Sequence, residues 1–136
     1  MKKIILFFSL CFIFTSCSND SANTSIVGRW EWTIQHMDST PFTRTPEITG
    51  IQETLTINSN GTYSVSKNNK ITNSGTYKKS KEKNYEGKYV KAILYSNTRV
   101  TDSVDYYSID KNSNTLVFSF SLLGYDGAGS REYTRK

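Results

Sequence analysis

Hydrophobic and polar residues alternate along much of the chain, and the clearest run begins at residue 26. Ile26, Trp30, Trp32 and Ile34 occupy even-numbered positions, whereas the odd-numbered positions from 29 to 35 are polar. Successive side chains of a β-strand point to opposite faces, so this pattern predicts a strand over residues 26–36 with one buried, tryptophan-rich face. A single tryptophan can bury roughly 150–250 Å² of surface. We therefore expect the rest of the domain to pack against this strand.

Seven further segments have strand character and are separated by turn-forming residues. The eight predicted strands span residues 26–36, 51–58, 62–66, 71–78, 88–96, 103–110, 115–122 and 131–135. Residues 58–61, Asn-Ser-Asn-Gly, favour a hairpin turn because Asn and Gly both adopt positive φ angles at low cost. Consecutive short strands without a helical period predict an all-β sandwich or barrel. A meander of eight can close into an antiparallel up-and-down barrel, which is the fold we expect.

Two segments depart from simple alternation. Residues 37–50 contain Pro41 and Pro46, and proline lacks the backbone N–H that a central strand needs. We predict a long loop there that crosses one end of the barrel, with Phe42 and Ile48 folded inward as a lid.

The second departure is segment 88–96, which is apolar on both faces. Val90, Ala92 and Leu94 lie opposite Ile93 and Tyr95 in the alternation. Such a strand is either covered on its outer side or forms an interface with a partner.

The first 16 residues have the layout of a secretory signal peptide. Two lysines precede an apolar run over residues 4–14, and small residues precede Cys17. The run is shorter than the roughly 20 residues that cross a bilayer as a helix. Residues 14–17 resemble a bacterial lipobox, with Phe14 in place of the usual leucine. This resemblance implies that Cys17 is diacylated and becomes the mature N-terminus; an ordinary signal peptide with an incidental cysteine is the alternative.

These features predict three regions. Residues 1–16 form a lipoprotein signal peptide, residues 17–25 a lipidated, flexible tether, and residues 26–136 the barrel domain. Cys11 leaves with the signal peptide, so an acylated Cys17 leaves no thiol for disulfides, nucleophilic catalysis or metal binding.

The charge of the mature chain is modest. Loss of Lys2 and Lys3 lowers the formal net charge from +5 to +3, which is too small to indicate nucleic-acid binding. Five lysines cluster with two glutamates near one predicted hairpin; they are Lys78, Lys79, Lys81, Lys83 and Lys88. We interpret this cluster as a solvated hairpin tip in preference to a dedicated anion site.

The segment Gly28-Arg29-Trp30 matches the Gly-x-Trp signature of the first lipocalin strand, and residues 54–57, 60–63 and 133–136 fit the strands that follow. On these residues the chain resembles the lipocalin-like domains of lipoproteins from Bacteroidetes-type bacteria. The resemblance implies a barrel anchored to the outer membrane of the cell envelope, facing the periplasm or the surface. It also implies that Gly28 and Trp30 lie at the closed end, where Arg135 or Arg131 packs across Trp30 as a cation–π pair.

The sequence contains no recognisable catalytic or metal-binding constellation. His36 is the only histidine and the acidic residues are scattered, so a catalytic triad or a zinc site would lack its usual members. The glycine-rich residues 124–129 are not followed by a phosphate-binding helix. We predict no catalytic residue, no metal, no cofactor and no enzymatic activity, and we expect a monomer.

Aromatic residues are abundant, with nine tyrosines and seven phenylalanines. The candidate ligand-lining residues are Trp32, Tyr63, Tyr77, Tyr95, Phe118, Phe120 and Tyr133, and Tyr89 shares the predicted inner face. Glu53 also falls on an inner face, and we predict that it lies at the rim. This lining suits a small hydrophobic or amphipathic ligand bound beneath the loop over residues 37–50. Alternatively, the same side chains fill the barrel, and the protein uses its loops and segment 88–96 to bind or inhibit a protein partner.

Overall fold

The structure is a computed structural model, and it describes residues 25–38, 40–84, 86–96, 105–121 and 128–136. Nine strands and one short helix form the regular structure of these residues. They are β1 (Gly28–Met37), β2 (Thr40–Arg44), α1 (Pro46–Thr49), β3 (Glu53–Ile57), β4 (Thr62–Lys67), β5 (Lys70–Lys83), β6 (Tyr89–Tyr95), β7 (Asp105–Asp110), β8 (Thr115–Ser121) and β9 (Ala128–Arg135).

Eight of these strands close into an antiparallel barrel. Strands β3 to β9 follow one another in the sheet, and β1 joins its two ends. Residues 28–31 of β1 pair with β3, and residues 30–37 pair with β9. The predicted all-β, eight-stranded up-and-down barrel is therefore confirmed. Closure leaves no free edge among these eight strands, which removes a common route to aggregation.

The connections alternate between two ends because each strand runs opposite to its neighbours. The start of β1, the end of β9 and the connections β3–β4, β5–β6 and β7–β8 lie at one end, which we call the Trp30 end. The end of β1, the start of β3 and the β4–β5 turn lie at the other end, which we call the Glu53 end.

The prediction of an unstructured loop over residues 37–50 is wrong. β2 pairs with the end of β1, where Gln35 faces Arg44, and β1 is its one partner among the described strands. Proline is tolerated in such an edge strand, so Pro41 does not prevent pairing. Pro46 occupies the first turn of α1, where its missing N–H is not needed. The predicted lid is also wrong, because Phe42 is 73% exposed and Ile48 is 72% exposed.

A bulge in β1 changes which side chains point inward. Trp30 and Trp32 are buried as predicted, but the pairing with β9 shifts between Trp32 and Ile34. Beyond the shift Gln35 is buried, whereas Ile34 is only half-buried. A bulge inserts one residue and reverses the alternation that follows it. The inner face of β1 therefore ends in a polar amide.

β5 is longer than predicted, because it extends to Lys83. Its first half pairs with β4 and its second half with β6, and these two neighbours are displaced along the barrel. The lysines at positions 78, 79, 81 and 83 consequently lie on β5 and not in a loop, whereas Lys88 lies in the β5–β6 connection; all five are exposed.

The outer face of β6 is partly covered by β7. Ala92 is completely buried and Val90 is half-buried, whereas Leu94 is 36% exposed, so Leu94 alone of these three contributes an exposed side chain for a protein partner. Tyr106 on β7 donates its hydroxyl to the carbonyl of Lys83 on β5 at 3.0 Å. Its ring must cross β6 to make this bond, since β6 lies between the two strands.

Candidate ligand-binding site

The Trp30 end of the barrel is filled and held by side-chain contacts. Trp30 is completely buried, and its indole N–H donates to the carbonyl of Ile26 at 2.8 Å. The guanidinium carbon of Arg135 lies 4.2 Å from the Trp30 ring centre, a cation–π contact worth about 0.5–2 kcal/mol. Arg135 also donates to the carbonyls of Val27 and Ser25. These bonds fix the point at which the N-terminal segment enters the barrel.

Gly28 is required beside this pair for two reasons. Its φ angle is +150°, which side chains rarely permit. A Cβ atom at this position would lie 2.6 Å from Nη1 of Arg135. The structure thus brings together the three residues that the resemblance assigned to barrel closure, and here it is Arg135 that contacts Trp30.

A charged cluster lies inside the barrel toward the Glu53 end. Glu53 is 5% exposed, and its Oε1 accepts from the Tyr133 hydroxyl at 2.6 Å and from Nη1 of Arg131 at 3.3 Å. Lys67 lies 3.3 Å from the other carboxylate oxygen. Nη2 of Arg131 donates to Oε1 of Gln35 at 3.0 Å. We call Gln35, Glu53, Lys67, Arg131 and Tyr133 the Glu53 cluster.

The local sequence explains how these groups meet. Arg131 and Tyr133 are two residues apart on β9 and so share its inner face, as do Glu53 and Leu55 on β3. The β1 bulge adds Gln35, which pairs in register with Arg131. Alternation predicts the inner-face position of Glu53 but does not identify Arg131 as its partner. The usable signal was that a buried carboxylate needs a cation, and Arg131 lies on the same face as Tyr133.

Burial shifts the ionisation of the groups in this interior. It raises the pKa of Tyr133, and neighbouring Glu53 raises it further. Burial alone would lower the pKa of Arg131, but Tyr133 and Glu53 more than offset this, so the net shift is upward. Burial also raises the pKa of Tyr95, and the negative charge of Asp105 raises it further. The interior therefore holds neutral tyrosines around a fixed cation.

Asp105 is a second acid on the inner face. It faces buried Ile93 in the register of β6 and β7. Burial raises the pKa of Asp105 to about 6, although the charge of Arg131 opposes the shift. The alternation of apolar and polar residues does not assign the inner face of this strand, because Tyr106 and Tyr107 are adjacent.

Five buried side-chain polar atoms have no hydrogen-bond partner among the residues that the structure describes. Two of them, on Asn114 and Arg135, lie at the Trp30 end; the other three are the indole N–H of Trp32, the hydroxyl of Tyr63 and Nε of Arg131. Trp32 is 8% exposed and Tyr63 is 4% exposed. A buried polar group without a partner costs roughly 1–3 kcal/mol, so these atoms are free to bond to a water molecule or a ligand.

Three close pairs of aromatic rings lie in the described part of the barrel. Tyr63 and Tyr95 have ring centres 4.5 Å apart. Phe118 packs edge-on against Tyr133 at 5.9 Å and lies 6.4 Å from Tyr107. The interior therefore combines packed aromatic rings with buried polar groups.

The candidate lining residues do not all lie together. Trp32, Tyr63, Phe118 and Tyr133 are buried in the core, and Tyr95 is half-buried beside Tyr63. The remaining three are Tyr77, Phe120 and Tyr89. Tyr77 is buried at the Trp30 end, where its hydroxyl donates to the carbonyl of Asn58 at 2.8 Å. The side chain of Phe120 and all of Cys17 lie outside the described residues, and Tyr89 is 70% exposed, so its inward placement is wrong.

Neither a metal centre nor a membrane helix is found in the described ranges. No three His, Cys, Asp or Glu residues there are close enough to hold an ion. His36 is exposed, with Nδ1 3.4 Å from the Thr43 hydroxyl. No helix among the described residues has the length and apolarity needed to cross a bilayer.

The fold and the site together define a closed eight-stranded up-and-down β-barrel with a charged, tyrosine-rich interior. Comparison with known proteins adds no relative. No protein-family model, no curated protein and no solved structure matches the chain.

Asp105 predicts a distinct dependence of stability on pH. Because its pKa is raised from 3.8 to about 6 on folding, the folded chain binds the proton more tightly than the unfolded chain. The contribution of Asp105 to the free energy of unfolding is therefore most favourable below pH 4, and it is lost as the pH rises from about 4 to about 6. We expect Asp105→Asn to raise the free energy of unfolding by about 1–3 kcal/mol at pH 7.5, and to have little effect at pH 3.5. Urea denaturation at both pH values measures this difference.

Asp110→Asn is the matched control. Asp110 is exposed, and hydrogen bonds from the backbone N–H of Asn112 and the Ser113 hydroxyl lower its pKa. Replacing Asp110 with asparagine should therefore not raise the free energy of unfolding at pH 7.5. Equal effects of the two substitutions, or a pH-independent effect of Asp105→Asn, would contradict the assignment of Asp105 to the interior.

Proposed function

We propose that this protein is a lipid-anchored, lipocalin-like lipoprotein of the cell envelope that binds a small amphipathic molecule inside its barrel. The observation that supports this most is the group of unpartnered polar atoms on Trp32, Tyr63 and Arg131, set among aromatic rings. The function is binding without catalysis, and the protein acts as a monomer without a cofactor.

The donors in the interior define the chemistry of the ligand. The indole N–H of Trp32 and Nε of Arg131 can only donate hydrogen bonds, and the hydroxyl of Tyr63 can donate or accept. The ligand should therefore carry acceptor oxygens, such as those of a carboxylate, sulfonate or carbonyl group. Its remainder should be apolar or aromatic, because Tyr63, Tyr95 and Phe118 offer ring surfaces.

The anchor is proposed from the sequence. Residues 1–16 supply the signal peptide, Cys17 supplies the acylated thiol, and residues 18–25 form the tether. The barrel then stands at the outer membrane, facing the periplasm or the surface.

Titration with the fluorescent dye 1-anilinonaphthalene-8-sulfonate tests binding, because the dye combines aromatic rings with acceptor oxygens. We expect one dye molecule per folded chain. Tyr63→Phe removes only the hydroxyl and should weaken binding by about fivefold, the equivalent of roughly 1 kcal/mol for one hydrogen bond. Tyr89→Phe makes the same change at an exposed site and should bind as the unsubstituted chain does.

Absence of saturable binding to the folded chain would count against this proposal. So would an equal loss in both tyrosine variants, since only Tyr63 lies in the interior. Circular dichroism of each variant confirms that a loss of binding is not a loss of fold.

A second candidate function is recognition of a protein partner. Exposed apolar side chains support it, because Phe42, Ile48 and Ile71 are 65–73% exposed and all belong to elements at the Glu53 end. Under this alternative side chains fill the barrel, and the exposed residues at the Glu53 end bind the protein partner. A folded chain that carries no small molecule and does not bind the dye would favour it over the first proposal.

A further inference from the structure

The lysines of β5 and β6 share one face of the sheet. Directly opposed residues of paired strands lie on the same side. The register therefore places Lys79, Lys81 and Lys83 together with Lys91 and Tyr89, on the side of the sheet that carries the buried Ile93 nearer the barrel. All five are exposed, and we call this surface the lysine face. The acid within this run of β5, Glu82, pairs with Val90 and belongs to the opposite side.

One contact within the lysine face is unfavourable by itself. Lys81 and Lys91 are directly opposed across the two strands, and like charges in this arrangement destabilise a sheet. Neither forms an ion pair with any residue in the described ranges. A negatively charged surface laid against the lysine face would attract both lysines and offset the repulsion between them.

The lysine face lies near the proposed anchor. The β5–β6 connection and the start of β1 are both at the Trp30 end. Arg135 holds the carbonyls of Ser25 and Val27 there, so Ser25 lies at that end. Nine extended residues span at most about 30 Å. An acylated Cys17 would therefore keep the Trp30 end close to the bilayer.

We propose that the lysine face binds the anionic phospholipid headgroups of the membrane that carries the anchor. Basic residues near an anionic leaflet are attracted electrostatically, and an exposed tyrosine such as Tyr89 suits the headgroup layer. This inference rests on the proposed acylation of Cys17. It orients the barrel with the Glu53 end away from the bilayer, so that the ligand site faces the aqueous side.

Vesicle binding by the unacylated chain tests the lysine face. The protein is residues 17–136 with Cys17→Ser, which retains all eight strands of the closed barrel. The probes are phosphatidylcholine vesicles with and without about 30% phosphatidylglycerol, at about 50 mM salt to limit screening. We expect binding only to the anionic vesicles, and loss of that binding at high salt. Lys81→Gln with Lys91→Gln should weaken it by about 25-fold, or about fivefold per lysine.

Arg44→Gln with Lys70→Gln is the matched control, because it removes the same charge from exposed positions at the other end. It should bind as the unsubstituted chain does. Failure of the unsubstituted chain to bind anionic vesicles, or an equal loss in both double variants, would overturn the lysine face. The mass of the N-terminal peptide from membrane-extracted protein tests acylation of Cys17 separately. An unmodified cysteine there would overturn the anchor and the orientation, whatever the vesicles show.

Discussion

Replacing Trp30 with alanine is expected to lower the free energy of unfolding by about 3–5 kcal/mol, the range for deleting a large aromatic side chain from a core. Trp30 is completely buried among Ile26, Ile57 and Leu116, each at most 2% exposed. The deletion also removes the cation–π partner of Arg135 and the hydrogen bond to the carbonyl of Ile26. Urea denaturation followed by circular dichroism measures the loss.

Phe42→Ala provides the control for this substitution. It also deletes an aromatic ring, but Phe42 is 73% exposed, so its effect should lie within about 0.5 kcal/mol. A Trp30→Ala variant as stable as Phe42→Ala would show that the Trp30 end does not form the core of the barrel.

Removing the charge of Glu53 is expected to cause the second-largest loss in the free energy of unfolding. Glu53→Gln leaves Arg131 without its ion-pair partner, with Asp105 as the remaining acid nearby, and breaking a buried pair costs about 3–5 kcal/mol. Because 35% of the Arg131 side chain remains exposed, we expect a smaller loss of about 2–3 kcal/mol. Thermal and urea denaturation at pH 7 measure it.

A double-mutant cycle separates this pair from a general loss of packing. Adding Arg131→Met to Glu53→Gln removes the unpaired cation, so the double variant should be more stable than Glu53→Gln alone. Glu47→Gln is the control, because Glu47 is exposed on α1. Additive effects of the two interior substitutions would mean that Glu53 and Arg131 do not interact.

The barrel could be predicted because its strands carry their own signal. Leu116 and Phe118 on β8, like Trp30 and Trp32 on β1, alternate with polar or outward residues, and both pairs are buried. The turn at residues 58–61 likewise forms between β3 and β4. Each of these features depends on a few neighbouring residues, so a single sequence is sufficient to indicate it.

Other features depend on pairing between distant segments, and the sequence pattern does not reveal them. The β1 bulge arises from the register with β9, and it buries Gln35 where alternation predicted Ile34. Pro41 fits in β2 because that strand pairs with β1 alone among the described strands. The length of β5 follows from its two displaced neighbours.

The candidate site was predictable in part. The burial of Trp32, Tyr63, Phe118 and Tyr133 followed from alternation, and so did the inner-face position of Glu53. The bonds that Glu53 receives from Arg131 and Tyr133 were not predicted, because they join residues 78 and 80 positions apart. Asp105 was missed because its strand carries adjacent tyrosines, Tyr106 and Tyr107, so that alternation does not assign the inner face.

Native mass spectrometry tests binding in the barrel most directly. The chain from residue 17 onward would be purified without denaturation from the cells that make it. We expect a small molecule with acceptor oxygens to remain with the folded chain, to leave on unfolding, and to be depleted in Tyr63→Phe but not in Tyr89→Phe. A folded chain that carries no small molecule and takes up none of the dye would contradict ligand binding.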